Sequence, residues 1–300
     1  MKYVVTGGSG FIGSYIIKQL IKENHEVILL DNFSRGKMQN LTGIENKIRI
    51  IQTDILDTEQ YGDLISDADG IFHQAALTSV PESFTHKEKY HNVNVVGTEN
   101  IFKLAKNYGI KVVYASSSSV YGNTTSIPIK ENFEKNPINP YGITKLEDEK
   151  LAEKYYDLGV SIIGLRYFNV YGIGQTNDYA GVITKFFECI REDKSPIIFG
   201  DGSQTRDFVS VDDVAKANIL SMQSNTKFAF LNIGTGITTS VKELAYLMIE
   251  LSGKSLEPDY AELPEGDIKE SQANASLAKE MIGWSYETHL KDGLKKFFFS

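Results

Sequence analysis

An alternation of short apolar runs with longer segments of helical periodicity constrains the fold of this 300-residue chain more than any other feature. The first apolar run, KYVVTG, leads into FIGSYIIKQLIKEN, whose apolar residues recur every three or four positions. Strands that alternate with helices imply βαβ units and a parallel sheet. We therefore predict an α/β fold with a doubly wound parallel sheet. The further predicted strands are EVILLD, KIRIIQTD, GIFHQAA, KVVYASSS and VSIIGLRYFNV, and helices are predicted near 58–66, near 87–108 and after Tyr141.

The alternation weakens in the second half of the chain. From about residue 171 the sequence breaks into shorter pieces that contain more Gly, Pro and Asp. For a chain of this length, about two domains are expected. We therefore predict a first domain over 1–170 and a smaller C-terminal α/β domain over 171–300, some segments of which return to the first domain.

Glycines separate the first predicted strand from the first predicted helix, in TGGSGFIG at 6–13. Gly7, Gly10 and Gly13 suit a Rossmann-type loop, in which the backbone turns sharply and approaches a pyrophosphate at the helix N-terminus. The second strand ends in Asp31. A carboxylate at that point accepts hydrogen bonds from the adenosine ribose and repels a 2′-phosphate. The two features together predict a binding site for NAD rather than NADP.

Composition argues against several classes of function. The net charge of −8, from 31 basic and 39 acidic residues, argues against a nucleic-acid-binding surface. No uninterrupted apolar stretch approaches the ~18 residues of a transmembrane helix, so we expect no membrane insertion. Cys189 is the only cysteine and the five histidines are scattered, so we predict neither an intramolecular disulfide nor a metal site. Such cysteine usage is typical of a reducing compartment, and we expect a cytoplasmic protein.

The segment YGITK places Tyr141 and Lys145 four residues apart at the start of a predicted helix. Side chains at this spacing lie on one face of a helix and can touch. Two interpretations are open from the spacing alone. The pair could lie on the surface without a role, or the lysine could favour the phenolate of a tyrosine that exchanges protons with a substrate.

Motifs along nearly the whole chain favour the second interpretation. With them the chain resembles the extended short-chain dehydrogenases/reductases, within the NAD-dependent nucleotide-sugar epimerase/dehydratase family, and is most similar to the UDP-hexose 4-epimerases. The motifs are TGGSGFIG (6–13), LDN (30–32), HQAALTSVPES (73–83), NVNVVGTEN (92–100), SSSSVYG (116–122), NPYGITK (139–145), RYFNVYG (166–172), GDGSQTRDFVSVDDV (200–214), LNIGTG (231–236) and PEGD (264–267).

The resemblance implies a set of catalytic residues and a reaction. Tyr141 would exchange the proton of the sugar 4-hydroxyl, Lys145 would favour the phenolate, and Ser117 would hydrogen-bond the reacting oxygen. Hydride would pass from carbon 4 of the sugar to NAD and return to the other face of the 4-keto sugar. The implied activity is NAD-dependent 4-epimerisation of a UDP-hexose, with 1–170 as the NAD-binding domain and 171–300 as the nucleotide-sugar domain.

The resemblance also implies the residues that bind the cofactor and the substrate. By position, the NAD contacts are Gly7, Gly10, Phe11, Ile12, Gly13, Asp31, Asn32, Asp54, Ile55, Ala75, Ala76, Asn94, Tyr141, Lys145 and Phe168. The substrate contacts are Ser117, Asn169, Val182, Ile197, Phe199, Arg206, Asp267 and Ser271.

Two positions bear on the identity of the substrate. Pro264 stands where the family commonly has an arginine that contacts the diphosphate. Either Arg206 carries more of that charge, or the nucleotide is not UDP. Ser271 stands where a tyrosine crowds the 2-position of the sugar in resembling epimerases. Because serine lacks the ring, we predict room for an N-acetyl group, so that UDP-N-acetylglucosamine is a substrate as well as UDP-glucose.

Alternatives to a UDP-hexose 4-epimerase stay open at this point. Nucleotide-sugar 4,6-dehydratases carry an Asp–Glu pair directly after the catalytic Ser or Thr, where this chain has Ser118 and Ser119. A UDP-glucuronate 4-epimerase is a second alternative. A non-catalytic NAD-sensing regulator is a third, although it has no use for the three catalytic residues. Resembling proteins also form homodimers through a helical bundle, which implies a homodimer here.

Overall fold

A seven-stranded parallel sheet forms the centre of the protein in the computed structural model, which describes residues 1–124, 126–175, 181–262 and 269–299. The strands of the described residues are β1 (Lys2–Thr6), β2 (Glu26–Asp31), β3 (Arg49–Gln52), β4 (Gly70–His73), β5 (Lys111–Ser117), β6 (Ile162–Tyr167), β7 (Asn169–Tyr171), β8 (Ile197–Phe199), β9 (Thr205–Ser210), β10 (Phe228–Ile233), β11 (Thr238–Ser240) and β12 (Asp259–Ala261). The central sheet has the order β10-β6-β5-β4-β1-β2-β3, and all of its pairs are parallel. The predicted α/β fold with a parallel sheet is therefore confirmed.

Helices pack on both faces of this sheet because successive strand residues point to opposite sides. Val5 of β1 belongs to one apolar cluster with Ile16 and Ile17, whereas Val4 belongs to another with Ile101 and Phe102. The helices are α1 (Phe11–Lys22), α2 (Thr58–Tyr61), α3 (Val80–Thr85), α4 (Lys87–Tyr90), α5 (Gly97–Tyr108), α6 (Pro140–Asp157), α7 (Val182–Arg191), α8 (Val211–Gln223), α9 (Val241–Ser252), α10 (Ser276–Ile282) and α11 (Leu290–Phe299). A π-helical segment, His91–Val96, joins α4 to α5.

The second half of the chain contributes to the central sheet as well. Strand β10 pairs with β6 and forms one edge of the sheet. Trp284 is fully buried in the apolar cluster that also contains Ile16 of α1, and its indole nitrogen donates to the Asp213 carbonyl oxygen at 2.9 Å. The central layer therefore draws on residues beyond 170, and the division into 1–170 and 171–300 stays a prediction.

Two small sheets lie in the second half. One has the order β11-β9-β7 and the other pairs β12 with β8. Their core is a separate apolar cluster that includes Phe186 of α7, Met248 of α9 and Leu294 of α11. Among the described residues, none of the helices combines the length and the apolar character that a membrane crossing requires.

The strand order reverses direction at β1, which lies between β2 on one side and β4 on the other. The connection after β1 leads to one side of the sheet and the connection after β4 to the other, so their loops separate above the carboxyl ends of the strands. Ligands of open α/β sheets bind in the crevice at such a point.

Candidate active site

A cleft of ≈ 380 Å³ lies at the carboxyl ends of the central strands, where the strand order reverses. Its walls come from the loop after β1, the ends of β2, β4 and β5, and the first turns of α6. The cleft brings together most of the residues predicted to contact the cofactor or to act in catalysis. They are Gly7, Gly10, Phe11, Ile12, Gly13, Asp31, Asn32, Asp54, Ile55, Ala75, Ala76, Ser117, Tyr141, Lys145 and Phe168.

The glycine loop is shaped so that side chains are excluded from it. Gly7 has φ +64°, and a Cβ there would lie 2.7 Å from the backbone nitrogen of Ala75. A Cβ at Gly13 would overlap the carbonyl oxygen of Gly7. A Cβ at Gly10 would meet only that same oxygen among the described residues, so this position borders open space. No acidic side chain lies in the first turn of α1, and its positive end is free to face an anion.

The carboxylate of Asp31 is held in place at the end of β2. Its Oδ2 accepts hydrogen bonds from the backbone nitrogen of Ser9 at 3.0 Å and from the Ser9 hydroxyl at 2.7 Å. Its Oδ1 accepts from the backbone nitrogen of Phe33 at 2.8 Å. Beside it, the Asn32 amide donates to Asp54 Oδ2 at 2.7 Å. Two carboxylates thus border this end of the cleft, which disfavours an additional phosphate there.

The three residues predicted to be catalytic line the same cleft. Ser117 is the last residue of β5, and its Oγ accepts a hydrogen bond from the Ser119 backbone nitrogen at 3.1 Å. Tyr141 lies in the first turn of α6, whose N-terminus is capped by Asn139 through a 2.8 Å hydrogen bond from the Gly142 nitrogen. Lys145 follows one turn later and is only 3% exposed.

The charge on Lys145 is retained although the side chain is buried. Its Nζ donates to Asp148 Oδ2 at 3.0 Å. Burial alone lowers the pKa of Lys145, but the negative charges of Asp148 and of an ionised Tyr141 outweigh burial and raise the pKa above its ordinary value. The lysine therefore stays an ammonium at neutral pH, next to Tyr141 on the same face of α6.

His73 lies below the cleft, and it does not serve as the acid of the site. Its Nδ1 is 2.7 Å from the Thr6 hydroxyl and its Nε2 is 2.9 Å from the Thr98 hydroxyl. Burial, together with the charge of Lys145, lowers the pKa of His73 to about 3. The imidazole is therefore neutral throughout the physiological range.

Asn94, predicted to contact the cofactor, lies in a layer behind the cleft wall and is fully buried. Its side chain accepts from the Leu77 nitrogen at 2.8 Å and donates to the Leu77 carbonyl oxygen at 3.0 Å and to the Thr144 hydroxyl at 3.0 Å. It holds the Leu77 wall of the cleft against helix α6.

The residues predicted to bind the nucleotide diphosphate and the sugar meet around β9. The Asn169 amide donates to the Asp207 carbonyl oxygen at 3.2 Å, directly next to Arg206. The segment that contains Ser271 runs alongside, because the Thr205 nitrogen donates to the Lys269 carbonyl oxygen at 3.0 Å. Ser271 itself is 8% exposed. These side chains are brought to one region of the small sheets rather than into the cleft.

The apolar residues predicted to contact the substrate lie on β8 and α7. Ile197 and Phe199 are 47% and 42% exposed, and the Gln204 amide donates to the Phe199 carbonyl oxygen at 2.9 Å. Val182 begins α7. Two of the positions considered in the sequence, Pro264 and Asp267, lie outside the described residues.

Sequence reasoning missed residues that border the cleft. Arg35 and Glu82 form an ion pair of 2.8 Å, and both line the cleft. Asp148, fully buried against Lys145, was also missed. An acid three residues after a lysine on one helix face is a signal that could have indicated the second pair. Within the described residues, no group of three His, Cys, Asp or Glu side chains is arranged to hold a metal ion.

Comparisons with known proteins agree with this geometry. Residues 3–234 match the NAD dependent epimerase/dehydratase family. A putative UDP-glucose 4-epimerase of Methanocaldococcus jannaschii is 41% identical over 98% of this chain and 96% of the relative.

Two solved structures resemble the whole chain. The UDP-N-acetylglucosamine 4-epimerase of Methanobrevibacter ruminantium, in complex with UDP-N-acetylmuramic acid, is 35% identical with a TM-score of 0.95, over 99% of this chain and 96% of that one. The UDP-glucose 4-epimerase of Thermotoga maritima with UDP-glucose is 35% identical with a TM-score of 0.93, over 98% and 96% of the two chains. With its glycine loop, its cleft and these relatives, the chain belongs to the NAD dependent epimerase/dehydratase family.

Proposed function

We propose that this protein is an NAD-dependent 4-epimerase of UDP-hexoses, which inverts carbon 4 of the sugar through a transient 4-keto intermediate. The observation that carries the proposal is the convergence of Ser117, Tyr141 and Lys145 on the cleft that contains the glycine loop. The relatives named as UDP-glucose and UDP-N-acetylglucosamine 4-epimerases support it.

The cleft fits NAD. The open space beside Gly10 and the unneutralised start of α1 suit the pyrophosphate, and the fixed Asp31 carboxylate suits the adenosine ribose hydroxyls. When bound, NAD supplies the reversible two-electron oxidation of the sugar at carbon 4. The residues that would hold it are those of the cleft wall, with Asn94 acting from behind through Leu77.

Three side chains of the cleft have different roles in the transfer of the sugar proton. Tyr141 takes the proton of the sugar 4-hydroxyl and gives it back at the end of the cycle. Lys145 favours the phenolate by its charge, and the start of α6 adds the positive end of the helix dipole. Ser117 orients the reacting oxygen from the end of β5. None of these roles consumes a residue, so the site is restored after each turnover.

The residues around β9 are proposed to bind the nucleotide sugar. Arg206 and Asn169 meet the diphosphate, and arginine suits phosphate because its planar fork offers paired donors. Exposed aromatic and aliphatic surface at Phe199 and Ile197 suits the uracil, with Val182 beside it. Ser271 is proposed to line the sugar end of the site, and Asp267 is proposed as a further substrate contact.

A dehydratase is disfavoured by the residues after Ser117. Elimination of water needs an acid there, and Ser118 and Ser119 offer only hydroxyls. A UDP-glucuronate 4-epimerase uses the same catalytic side chains, and only a substrate screen separates it from the proposed function. An NAD-sensing regulator would bind NAD but would not turn over any sugar.

We further propose a cytoplasmic homodimer that acts in galactose or related sugar metabolism. Helices α5 and α6 carry large side chains that are exposed. They are Tyr108, Ile143 and Tyr156, which are 36%, 46% and 41% exposed. A second copy of the chain would cover them in a helical bundle. The state in solution is checked by sedimentation.

The proposed function is tested by a substrate screen with a matched variant. The purified protein is supplied with NAD and separately with the UDP forms of glucose, galactose, N-acetylglucosamine, N-acetylgalactosamine and glucuronate, and the products are identified. Nucleotide released on denaturation is identified in parallel. We expect interconversion of the C4 epimers. A protein that binds NAD and converts none of these sugars would contradict the proposal and favour the regulator.

Tyr141→Phe tests the role of the tyrosine hydroxyl. The variant removes only the proton-exchanging hydroxyl, so we expect turnover to fall by about 10²- to 10⁴-fold while NAD stays bound. Steady-state kinetics and the amount of NAD released on denaturation measure the two effects. Retention of more than half of the wild-type turnover would exclude the role assigned to Tyr141.

A further inference from the structure

The lysine proposed to act in catalysis forms a buried ion pair with an aspartate. Lys145 and Asp148 lie three residues apart on α6, and therefore on one face. They are 3% and 0% exposed, and Nζ lies 3.0 Å from Oδ2. The other oxygen, Oδ1, is buried and accepts no hydrogen bond within the described part of the chain. The carboxylate thus meets Lys145 and little else.

A carboxylate in this situation costs stability, because burial removes its hydration and leaves one oxygen unpaired. Burial raises the pKa of Asp148 to about 7, in opposition to the charge of Lys145, which lowers it. The neighbouring Glu149 is different. Its two oxygens accept from Arg166 Nε at 2.8 Å and Nη2 at 2.7 Å, so it is neutralised by another partner.

The groups that face the Lys145–Asp148 pair come from every element packed on it. Glu147 and Glu149 on α6 both disfavour a charge on Asp148, and Tyr141 on α6 acts on Lys145. Lys145 also acts on His73 of β4, which stays neutral, and Asp148 acts on Tyr114 of β5. The other titratable groups on the elements packed against α6 have partners of their own: Arg166 of β6 is paired with Glu149, Glu99 of α5 is paired with Lys154, and His91 lies 3.6 Å from Glu147.

We propose, resting on the 4-epimerase function proposed above, that Asp148 is a positioning residue for Lys145: it fixes the ammonium on the cleft side of α6 and offsets part of its charge, and so sets the pH range in which Tyr141 exchanges the sugar proton. An ionised Asp148 weakens the attraction between the ammonium and the phenolate. A protonated or neutral partner leaves the full ammonium charge to act on Tyr141.

Three variants separate position from charge. Asp148→Asn keeps an acceptor for Nζ and removes the negative charge. Asp148→Ala removes both the acceptor and the charge. Asp157→Asn is the matched control, because it makes the same substitution at an exposed position of α6 that acts on neither Asp148 nor Lys145.

The pH profile of kcat/KM for epimerisation is measured for each protein. For Asp148→Asn we expect the acidic limb to move to lower pH by about half a unit to one unit, with kcat at high pH within about threefold of wild type. For Asp148→Ala we expect the same shift together with an approximately tenfold lower kcat and little change in KM, because the ammonium loses its position. Asp157→Asn is expected to follow the wild type. An unshifted limb in Asp148→Asn overturns the inference.

A second measurement tests the same inference without any sugar. The ultraviolet absorbance of the phenolate is titrated in the NAD-loaded protein and corrected with Tyr141→Phe in the same background. We expect Asp148→Asn, or Asp148→Ser if the first variant does not fold, to form the phenolate at lower pH than wild type. Coincident titrations overturn the inference. Because this readout needs no turnover, it decides the role of Asp148 even if the wild type epimerises no sugar and the proposed function fails.

Discussion

Ser271 is the residue that we predict to decide which sugars the protein accepts. Its segment is held beside β9, since Asp207 Oδ2 accepts from the Ala273 nitrogen at 3.0 Å and the Thr205 nitrogen donates to the Lys269 carbonyl oxygen at 3.0 Å. A residue in such a fixed segment has little freedom to move aside. We therefore propose that its size controls the space that remains for a substituent at carbon 2 of the sugar.

We predict that the wild type epimerises both plain and N-acetylated UDP-hexoses, and that Ser271→Tyr loses the N-acetylated substrates while it spares the plain ones. A ring at this position occupies the space of the acetamido group. The ratio of kcat/KM for UDP-N-acetylglucosamine and UDP-glucose is measured in both proteins, with Ser271→Ala as the control of unchanged bulk. Equal ratios in the tyrosine variant and the wild type would place the specificity determinant elsewhere.

His73 links the stability of the protein to pH. In the folded state its pKa of about 3 lies below the value of about 6.5 expected for an unfolded chain. The unfolded state therefore takes up a proton first, and the stability that is present above pH ~6.5 is lost as the pH falls toward the folded value. We predict that wild type loses about 1.4 kcal/mol more than His73→Gln in the free energy of unfolding between pH ~7.5 and ~5.5.

Urea denaturation at the two pH values measures this difference. His86, which is exposed, provides the matched control: His86→Gln should keep the full pH dependence of the wild type. The comparison between variants cancels the other titrating groups, including Asp148. If His73→Gln and wild type lose the same free energy, the imidazole is not held neutral by the fold.

Helix α6 connects the side chains that we propose to be catalytic to the central sheet. Glu149 of α6 receives two hydrogen bonds from Arg166 of β6 and one from the Ser116 hydroxyl of β5 at 2.7 Å. Ser116 precedes Ser117, so the same contact fixes the distance between the strand that carries the serine and the helix that carries the tyrosine. A buried pair of this kind contributes geometry rather than net stability.

The N-terminal cap of α6 is expected to affect both stability and catalysis. Asn139 caps the helix through the Gly142 nitrogen at 2.8 Å, and Tyr141 lies within the capped turn. We predict that Asn139→Ala lowers the free energy of unfolding by about 1 kcal/mol and also lowers kcat, because the first turn loosens. Asn139→Ser restores an acceptor and should recover both. Thermal unfolding measures the stability of these variants and steady-state kinetics measures their kcat. An Asn139→Ala variant with unchanged kcat would show that catalysis does not depend on the helix cap.

Sequence alone predicted the first six strands of the sheet, and all of them except β3 are apolar runs buried on both faces. Strand β3 forms an edge of the sheet, and its residues are mostly exposed. The sequence did not predict the place of β10, whose residues Phe228–Ile233 are equally apolar but follow a long stretch without regular alternation. Pairing of β10 with β6 depends on contacts far apart in sequence. The burial of Asp148 was missed for a similar reason, since TKLEDEKLAEKYYD reads as a charged, solvated helix.

In the candidate site, too, local sequence patterns were predictable and features that depend on tertiary packing were not. The glycine loop and the Tyr141–Lys145 spacing are local patterns, and the structure brings them into one cleft. The buried side chain of Asn94 bonds to Leu77 behind the cleft wall, and its contact with the cofactor stays a prediction. Which side of a wall a residue occupies depends on helix rotation, and motif spacing does not report it.

At the scale of the whole molecule, the two halves of the chain share one core. Strand β10 completes the central sheet, and Trp284 and Val214 pack in the apolar cluster of α1. A fragment ending at residue 170 would expose that face of α1 and leave β6 as an unprotected edge. An exposed apolar face of this size is incompatible with a tightly packed native state.

We therefore predict that the full chain unfolds in a single cooperative transition and that the fragment 1–170 does not fold cooperatively. The fragment should keep helical far-ultraviolet dichroism, lose near-ultraviolet signal and bind a hydrophobic dye, as expected when secondary structure survives without fixed packing. Trp284→Phe in the full chain is the control, because it alters the same cluster and leaves β10 in place. A fragment with a sharp thermal transition and NAD affinity like that of the full chain would mean that 1–170 is an independent domain, and that β10 adds to a sheet which is already stable without it.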